Sequence, residues 1–406
     1  MMITQPMNIL LVSSKYPPEY SGSGHRAHWL YRRLVAKHPD WTVQVLAGAE
    51  QHNDSVAYGH EGLPVQRIAD KPCPERVGGW RQYVRNARNF AAEHHAARTW
   101  LERQPKPDLL HVFGESYVTV AALDYATRHR LPVMLELCNE MDTPWQYVPF
   151  PGSLRVRGDL QKRYLLVCIS ERLAAMCRRN GIPEERIWCR PNPVDEARFH
   201  PVDEAEKQRI RRELTPFGPE DKVIAYVANF IPRKNHRFLI EALHHLPAEF
   251  KLWLAGPAAS SGPTAATAAE LVAQARTAAA ELPGRVVVEP GFRDDVHRCI
   301  QMADVSAFPT LAEGLGTPML EAIACGVPVV ANRIPGITDA WIRDGENGFV
   351  SDLDPAAFAD RLRRAVAFPR EQRLRESAAM IAMAGTAAVD AQYAEKIMTL
   401  TAGNQG

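Results

Sequence analysis

Residues 308–328 read FPTLAEGLGTPMLEAIACGVP and carry two carboxylates, Glu313 and Glu321, eight positions apart. A strand ending at Pro309 should run into a loop where Gly314 and Gly316 allow tight backbone geometry. Thr317 is a natural N-cap, Pro318 fits the first helical position, and Gly326 can close the helix. A glycine-bearing loop that feeds a helix leaves backbone N–H groups, Gly314 through Thr317, unbonded at the positive end of the helix dipole. That is an anion site suited to a diphosphate. On one continuous helix the two carboxylates would point about 80° apart, at ~100° per residue. Because the glycines break the helix, Glu313 can fold back over its start while Glu321 sits in the first turn. Carboxylates so placed can hold hydroxyls of a sugar and a ribose. The same pattern also fits a charged loop with a dipole-matched glutamate.

Two further segments offer ligand chemistry. ANFIPRKN (residues 228–235) follows an expected strand, and loops at the carboxyl ends of parallel strands line ligand crevices. Arg233 and Lys234 there could clamp a diphosphate; alone, the pair also reads as a solvated basic turn. YSGSG (residues 20–24) opens a helix, and Gly22 or Gly24 would let backbone approach a ligand, although no full G-x-G-x-x-G follows. There is no P-loop and no H-E-x-x-H, so no metal site is expected.

The elements that must position these groups alternate along the chain. Strands are expected at 8–14, 42–47, 65–68, 109–113, 133–137 and 165–169, with helices at 25–37, 80–103, 118–129 and 171–179. The alternation pauses over 190–220, where prolines 191, 193, 201, 216 and 219 suggest a polar hinge. It resumes with strands at 223–227, 251–255, 286–289, 305–308 and 329–331 and helices at 237–246, 265–282, 295–302, 318–325 and 355–367. Short apolar runs between helices indicate an α/β chain of two doubly wound, Rossmann-like parallel-sheet domains facing across a cleft. The expected domains are 1–190, rejoined by a C-terminal helix near 385–401, and 191–384.

Composition sets limits. The 406 residues are 46% hydrophobic and 23% charged, the balance of a soluble globular chain. No apolar run approaches the roughly 20 residues of a bilayer span. Seven cysteines without a C-x-x-C pair point to a reducing, cytoplasmic setting. Net charge is +6 over residues 1–190 and −5 over 191–406, too little to suggest nucleic acid.

With these residues in view, the chain resembles the retaining group 1 (family 4) glycosyltransferases of the GT-B fold. The resemblance rests on the E-x7-E element EGLGTPMLE (313–321), followed by EAIACGVPVVA and PGITDAWIRDGENGFV. It also rests on PDLLHVF (107–113), LLVCISERL (165–173), RPNPVDEARFHP (190–201) and PRKNHRFLIEAL (232–243). It implies an NDP-sugar co-substrate and no metal. Position by position, it implies that Glu321 holds the ribose and Glu313 the donor sugar. Gly314, Leu315, Gly316 and Thr317 would receive the diphosphate through their N–H groups, Lys234 and Arg233 would neutralise it, and Gly22 or Gly24 would approach it. The loop Gly291, Phe292, Arg293 would border the base.

Three departures accompany the likeness. Ala228-Asn229 stands where the family often has Gly-Arg, and NPVD replaces NGVD. MLELCNEMDTP (134–144) puts Cys138 and Asn139 where a histidine usually faces the sugar, so Asn139 or Glu140 would substitute for it. His111 reads as a packing residue and His25 as a helix-start residue.

The acceptor is less legible. Helix 80–103 aligns Arg81, Arg85 and Arg88 near aromatic residues, suiting a glycan or lipid-linked acceptor at a membrane surface. Glu115, Glu136, Glu140 and Asp142, expected to face the cleft, suit an aminoglycoside-like acceptor instead. A GT-B sugar-nucleotide epimerase, a phosphorylase and a catalytically inactive nucleotide-sugar-binding protein are the rival functions.

Overall fold

The computed structural model describes residues 6–19, 21–49, 55–68, 80–138, 141–148, 152–260 and 264–403. The chain divides into two compact units, Met1–Arg190 with Asp390–Gly406, and Pro191–Val389.

In the first unit, β1 (Met7–Ser13), α1 (Gly22–Lys37), β2 (Trp41–Ala47), β3 (Val56–His60), β4 (Leu63–Arg67), α2 (Trp80–Leu101) and β5 (Leu109–Phe113) lead into α3 (Tyr117–His129). The unit continues through β6 (Val133–Leu137), α4 (Gly152–Lys162), β7 (Leu165–Cys168), α5 (Glu171–Arg179) and β8 (Ile187–Cys189). The sheet order is β3-β4-β2-β1-β5-β6-β7-β8. Every residue of β5 and β6 is buried, as expected for parallel strands covered on both faces. The sheet is mixed rather than wholly parallel, because β3 pairs antiparallel with β4 at the edge. Sequence patterning missed β3, which is largely exposed and carries no apolar run. Helix α1 begins at Gly22, not His25, because Ser21 caps it by accepting from the Gly24 N–H at 2.9 Å.

The second unit holds α6 (Glu204–Leu214), β9 (Lys222–Val227), α7 (His236–Leu243), β10 (Phe250–Gly256), α8 (Ala265–Ala280), β11 (Val286–Pro290), α9 (Val296–Gln301) and β12 (Val305–Phe308). It is completed by α10 (Thr317–Ala324), β13 (Val329–Asn332), α11 (Thr338–Trp341), β14 (Gly348–Ser351), α12 (Pro355–Val366) and α13 (Arg370–Ala384). The order β11-β10-β9-β12-β13-β14 is parallel throughout. Helix α14 (Thr386–Ala402) starts in this unit and ends in the first.

The proline-rich stretch is not a bare hinge. It contains α6, whose Asp203 cap accepts from the Glu206 N–H at 2.8 Å. Arg211 on that helix is 1% exposed. Its guanidinium donates to the Met302 carbonyl at 3.2 and 2.9 Å, to the Asp221 carbonyl at 2.9 Å and to Asp304 at 2.8 Å. A helix anchored by a buried cation lacks the apolar stripe that sequence patterning looks for.

Candidate active site

The segment after β9 and the loop after β12 converge at one carboxylate. Lys234 Nζ bonds Glu313 Oε1, and Arg233 Nη1 reaches the same oxygen at 3.1 Å and the Ala312 carbonyl at 2.7 Å. The Lys234 and Glu313 side chains are each 11% exposed, whereas Arg233 is half exposed. Burial lowers the Lys234 pKa, and the Glu313 charge opposes that shift. Around the pair, Tyr226 Oη donates to the Lys234 carbonyl at 2.8 Å, and the Leu311 N–H donates to the Arg233 carbonyl at 2.8 Å. Thr310 Oγ1 lies 3.2 Å from the Arg233 and Ala312 carbonyls, and Asn332 Nδ2 donates to the Thr310 carbonyl at 2.9 Å. His236 stacks on Phe230 with its pKa pushed down to about 4 by burial, so it is neutral near pH 7. Thr310, Tyr226, His236 and Asn332 were not singled out from sequence, because a buried polar residue in an apolar run has no spacing signature.

The loop into α10 differs from expectation by one position. Gly316, at φ +77°, is the N-cap, so Thr317 and Pro318 are the first two helical residues. The chain needs a left-handed turn there, which only glycine adopts cheaply. No side chain caps this helix. Among the described residues, no acceptor faces the N–H groups of Gly314, Leu315, Gly316 and Thr317. Gly326, at φ +71°, follows the helix end and donates to Ile323 at 2.9 Å.

Glu321 is the fifth residue of α10, one turn further in than the first-turn position expected for it, and among the described residues nothing hydrogen-bonds its carboxylate. Burial raises its pKa to about 7, with the Arg198 charge pulling the other way. Glu321 therefore carries a desolvation cost that no protein partner offsets.

The loop after β11 is braced at its base and open at its tip. Gly291 N–H donates to the Gly256 carbonyl at 2.8 Å. Arg293 is latched by Asp295 through two 2.8 Å bonds and by Glu289 at 2.6 Å, and Phe292 between them is 83% exposed.

In the first unit, Gly22 is exposed with open space where a Cβ would stand. Gly24 is required for packing, since a Cβ there would collide with the Lys15 carbonyl. Asn139 and Glu140 lie outside the described residues. Glu136 does not belong to an open acidic cluster. It is buried, accepting from Tyr393 Oη at 2.5 Å and bonded to His111 at 3.1 Å, with Arg26 at 3.5 Å. His111 is buried too, and its other ring nitrogen meets Tyr31 Oη at 2.8 Å. Residues of β5, β6, α1 and α14 thus form one polar network inside the unit.

Two family models match the chain: residues 21–193 fit the glycosyl transferase 4-like domain and residues 221–367 fit the group 1 glycosyl transferases. The chain belongs to the group 1 glycosyltransferases. Among curated relatives of this family, EpsD of Bacillus subtilis, provisionally named a glycosyltransferase, is 37% identical over 42% of this chain and 42% of its own length. The D-inositol 3-phosphate glycosyltransferase of Xylanimonas cellulosilytica is 29% identical over 67% of this chain and 65% of its own. The chain thus spans less than two thirds of either relative. Solved structures agree in fold. Sucrose-phosphate synthase of Thermosynechococcus elongatus superposes with TM-score 0.74 at 18% identity, over 98% of this chain and 100% of that one. Anabaena HepE, solved with UDP and glucose, gives 0.67 at 19% identity, over 97% and 100%. These likenesses make the fold of this group 1 glycosyltransferase GT-B, two parallel-sheet α/β domains whose first sheet is mixed.

Proposed function

We propose that the chain moves a sugar from a nucleoside-diphosphate donor to an acceptor hydroxyl with retention of anomeric configuration. The observation that carries this reading is Glu321, a desolvated carboxylate without a protein partner, on the helix whose first N–H groups have no acceptor. A ribose diol would supply the missing donors, and the diphosphate would take the N–H groups of Gly314, Leu315, Gly316 and Thr317. Lys234 and Arg233 would share their charge between Glu313 and the leaving phosphates. Glu313 would turn to the donor sugar, and Phe292 would lie against the base. The UDP held by HepE supports a nucleotide of this class.

The chemistry balances without a separate base. The C1–O bond to the diphosphate breaks, the acceptor oxygen bonds C1 on the same face, and its proton passes to a departing phosphate oxygen. Cations fixed at that phosphate lower the barrier, each ~1.4 kcal/mol being tenfold in rate. Two cations and a helix terminus supply the role that a metal plays elsewhere.

For the acceptor, burial of Glu136 removes one carboxylate from the amino-sugar reading. Arg81 and Arg88 on α2 are exposed, and Tyr83 on the same helix is 78% exposed, which favours a glycan or lipid-linked acceptor met at an anionic membrane surface. No helix among the described residues is long and apolar enough to cross a membrane.

Calorimetric titration with UDP, GDP and ADP in chelator, on wild type and Glu321→Ala, tests the donor site. One nucleotide should bind, at least tenfold more weakly to the variant; no binding by any of the three defeats the proposal. NMR of the transfer product should then show the donor's anomeric configuration, and an inverted product would defeat retention.

A further inference from the structure

His28 lies on α1 at 2% exposure, His60 ends β3, and Glu61 begins the turn into β4. One ligand atom from each lies within 4.8 Å of the other two. His28 Nε2 stands 3.3 Å from Glu61 Oε2. Two ligands about 2.0–2.1 Å from a tetrahedral zinc are separated by about 3.3 Å, so this pair already has the required span. His28 Nδ1 is 2.9 Å from the buried Tyr16 Oη. That bond fixes the ring, and when Nδ1–H donates to the phenol the Nε2 lone pair is left toward Glu61, the arrangement that orients a metal-binding histidine.

Glu61 holds φ +45°, with Gly62 following at +89°, so a strained two-residue turn delivers the carboxylate to the histidines. Arg32 Nη1 now bonds Glu61 Oε2, but its side chain is 41% exposed and can leave for solvent.

We propose that His28, His60 and Glu61 bind one divalent ion of the zinc class, with water as fourth ligand, fastening the β3–β4 edge hairpin to α1. Two imidazoles and one carboxylate suit zinc, cobalt, nickel or copper over magnesium and calcium, which prefer oxygen alone. The ligands are split between residue 28 and residues 60–61, on a strand that patterning missed, so no short motif announces them.

The test uses tag-free full chain stripped with chelator, then titrated with Zn²⁺ by calorimetry and with Co²⁺ by visible absorption. One Zn²⁺ per chain and the intense absorption of four-coordinate Co²⁺ are expected. His60→Ala and Glu61→Gln, both at a surface turn, should keep the wild-type circular dichroism yet bind Zn²⁺ at least tenfold more weakly. Arg32→Ala should bind at least as tightly as wild type, because the competing cation is gone. Failure to take up Zn²⁺ stoichiometrically would overturn the site. So would uptake and a Co²⁺ spectrum left unchanged in the His60→Ala/Glu61→Gln double variant, which would place the metal elsewhere.

Discussion

Lys234 and Glu313 meet through a single carboxylate oxygen, Oε1, and Arg233 reaches that same oxygen at 3.1 Å. Two positive charges and one negative charge are thus tied into a cluster with a net charge of +1. The Thr310 and Asn332 hydrogen bonds fix the backbone that delivers it.

Glu313→Gln removes the anion and leaves two cations close together. The fold should lose about 3 kcal/mol, as when a largely buried pair is broken. Nucleotide diphosphate should bind at least as tightly as to wild type and restore most of that stability, while kcat falls a hundredfold or more. Thermal unfolding with and without nucleotide, set beside steady-state rates, separates these effects. A loss of affinity as large as that of Glu321→Ala would mean Glu313 holds the nucleotide itself.

Glu321 makes stability fall as pH rises. Its pKa moves from an ordinary 4.5 to about 7 on folding, through burial, so its favourable contribution is complete below about pH 4.5 and lost as pH passes 7. Glu321→Gln, always neutral, should melt with wild type at pH 4 and several degrees above it at pH 8. The ceiling is about 3 kcal/mol at ~1.4 kcal/mol per pH unit. Coincident melting at both pH values would show that the carboxylate has a partner.

Gly316→Ala must hold φ near +77° and push aside the terminal methyl of the buried Met319. Gly345 has φ +80° with open space around it, so Gly345→Ala isolates the backbone cost, about 1–2 kcal/mol. Chemical denaturation should show Gly316→Ala the more damaging, and only that variant should lose nucleotide affinity.

Phe292→Ala should leave the melting temperature unchanged, since the ring is almost wholly in solvent. Stacking on a base is worth ~1–3 kcal/mol, so nucleotide affinity should drop about five- to hundredfold. Unchanged affinity would place the base away from this loop.

Tyr393→Phe deletes a bond to a charged acceptor and should cost about 1.5–3 kcal/mol in urea unfolding. Burial pushes the Glu136 pKa up, but His111, Arg26 and Arg190 outweigh it and the net shift is downward. The stability this carboxylate contributes is present above about pH 4.5 and lost as pH falls through its folded value. Without the tyrosine, acid unfolding should begin at a higher pH.

The strands carrying the site were legible because β9, β12 and β13 are unbroken apolar runs bounded by turn residues. The glycines announced the loop into α10, but the cap fell one position earlier and Glu321 lies beyond the first turn. What escaped were features made by charge rather than by apolar pattern. Helix α6 is held by Arg211, and the Glu136 network joins residues more than two hundred and fifty positions apart. Neither leaves a period in the sequence. The edge strand β3 escaped because five largely exposed residues, one of them glycine, form no buried apolar run.

An unpartnered Glu321 also has a consequence for how long the protein survives. Any ligand that donates to this carboxylate binds the folded chain and not the unfolded one, so it shifts the unfolding equilibrium by mass action. A chain deprived of such a ligand would open more often and meet proteases sooner. If a ligand fills the site, the abundance of the protein would follow the supply of that ligand.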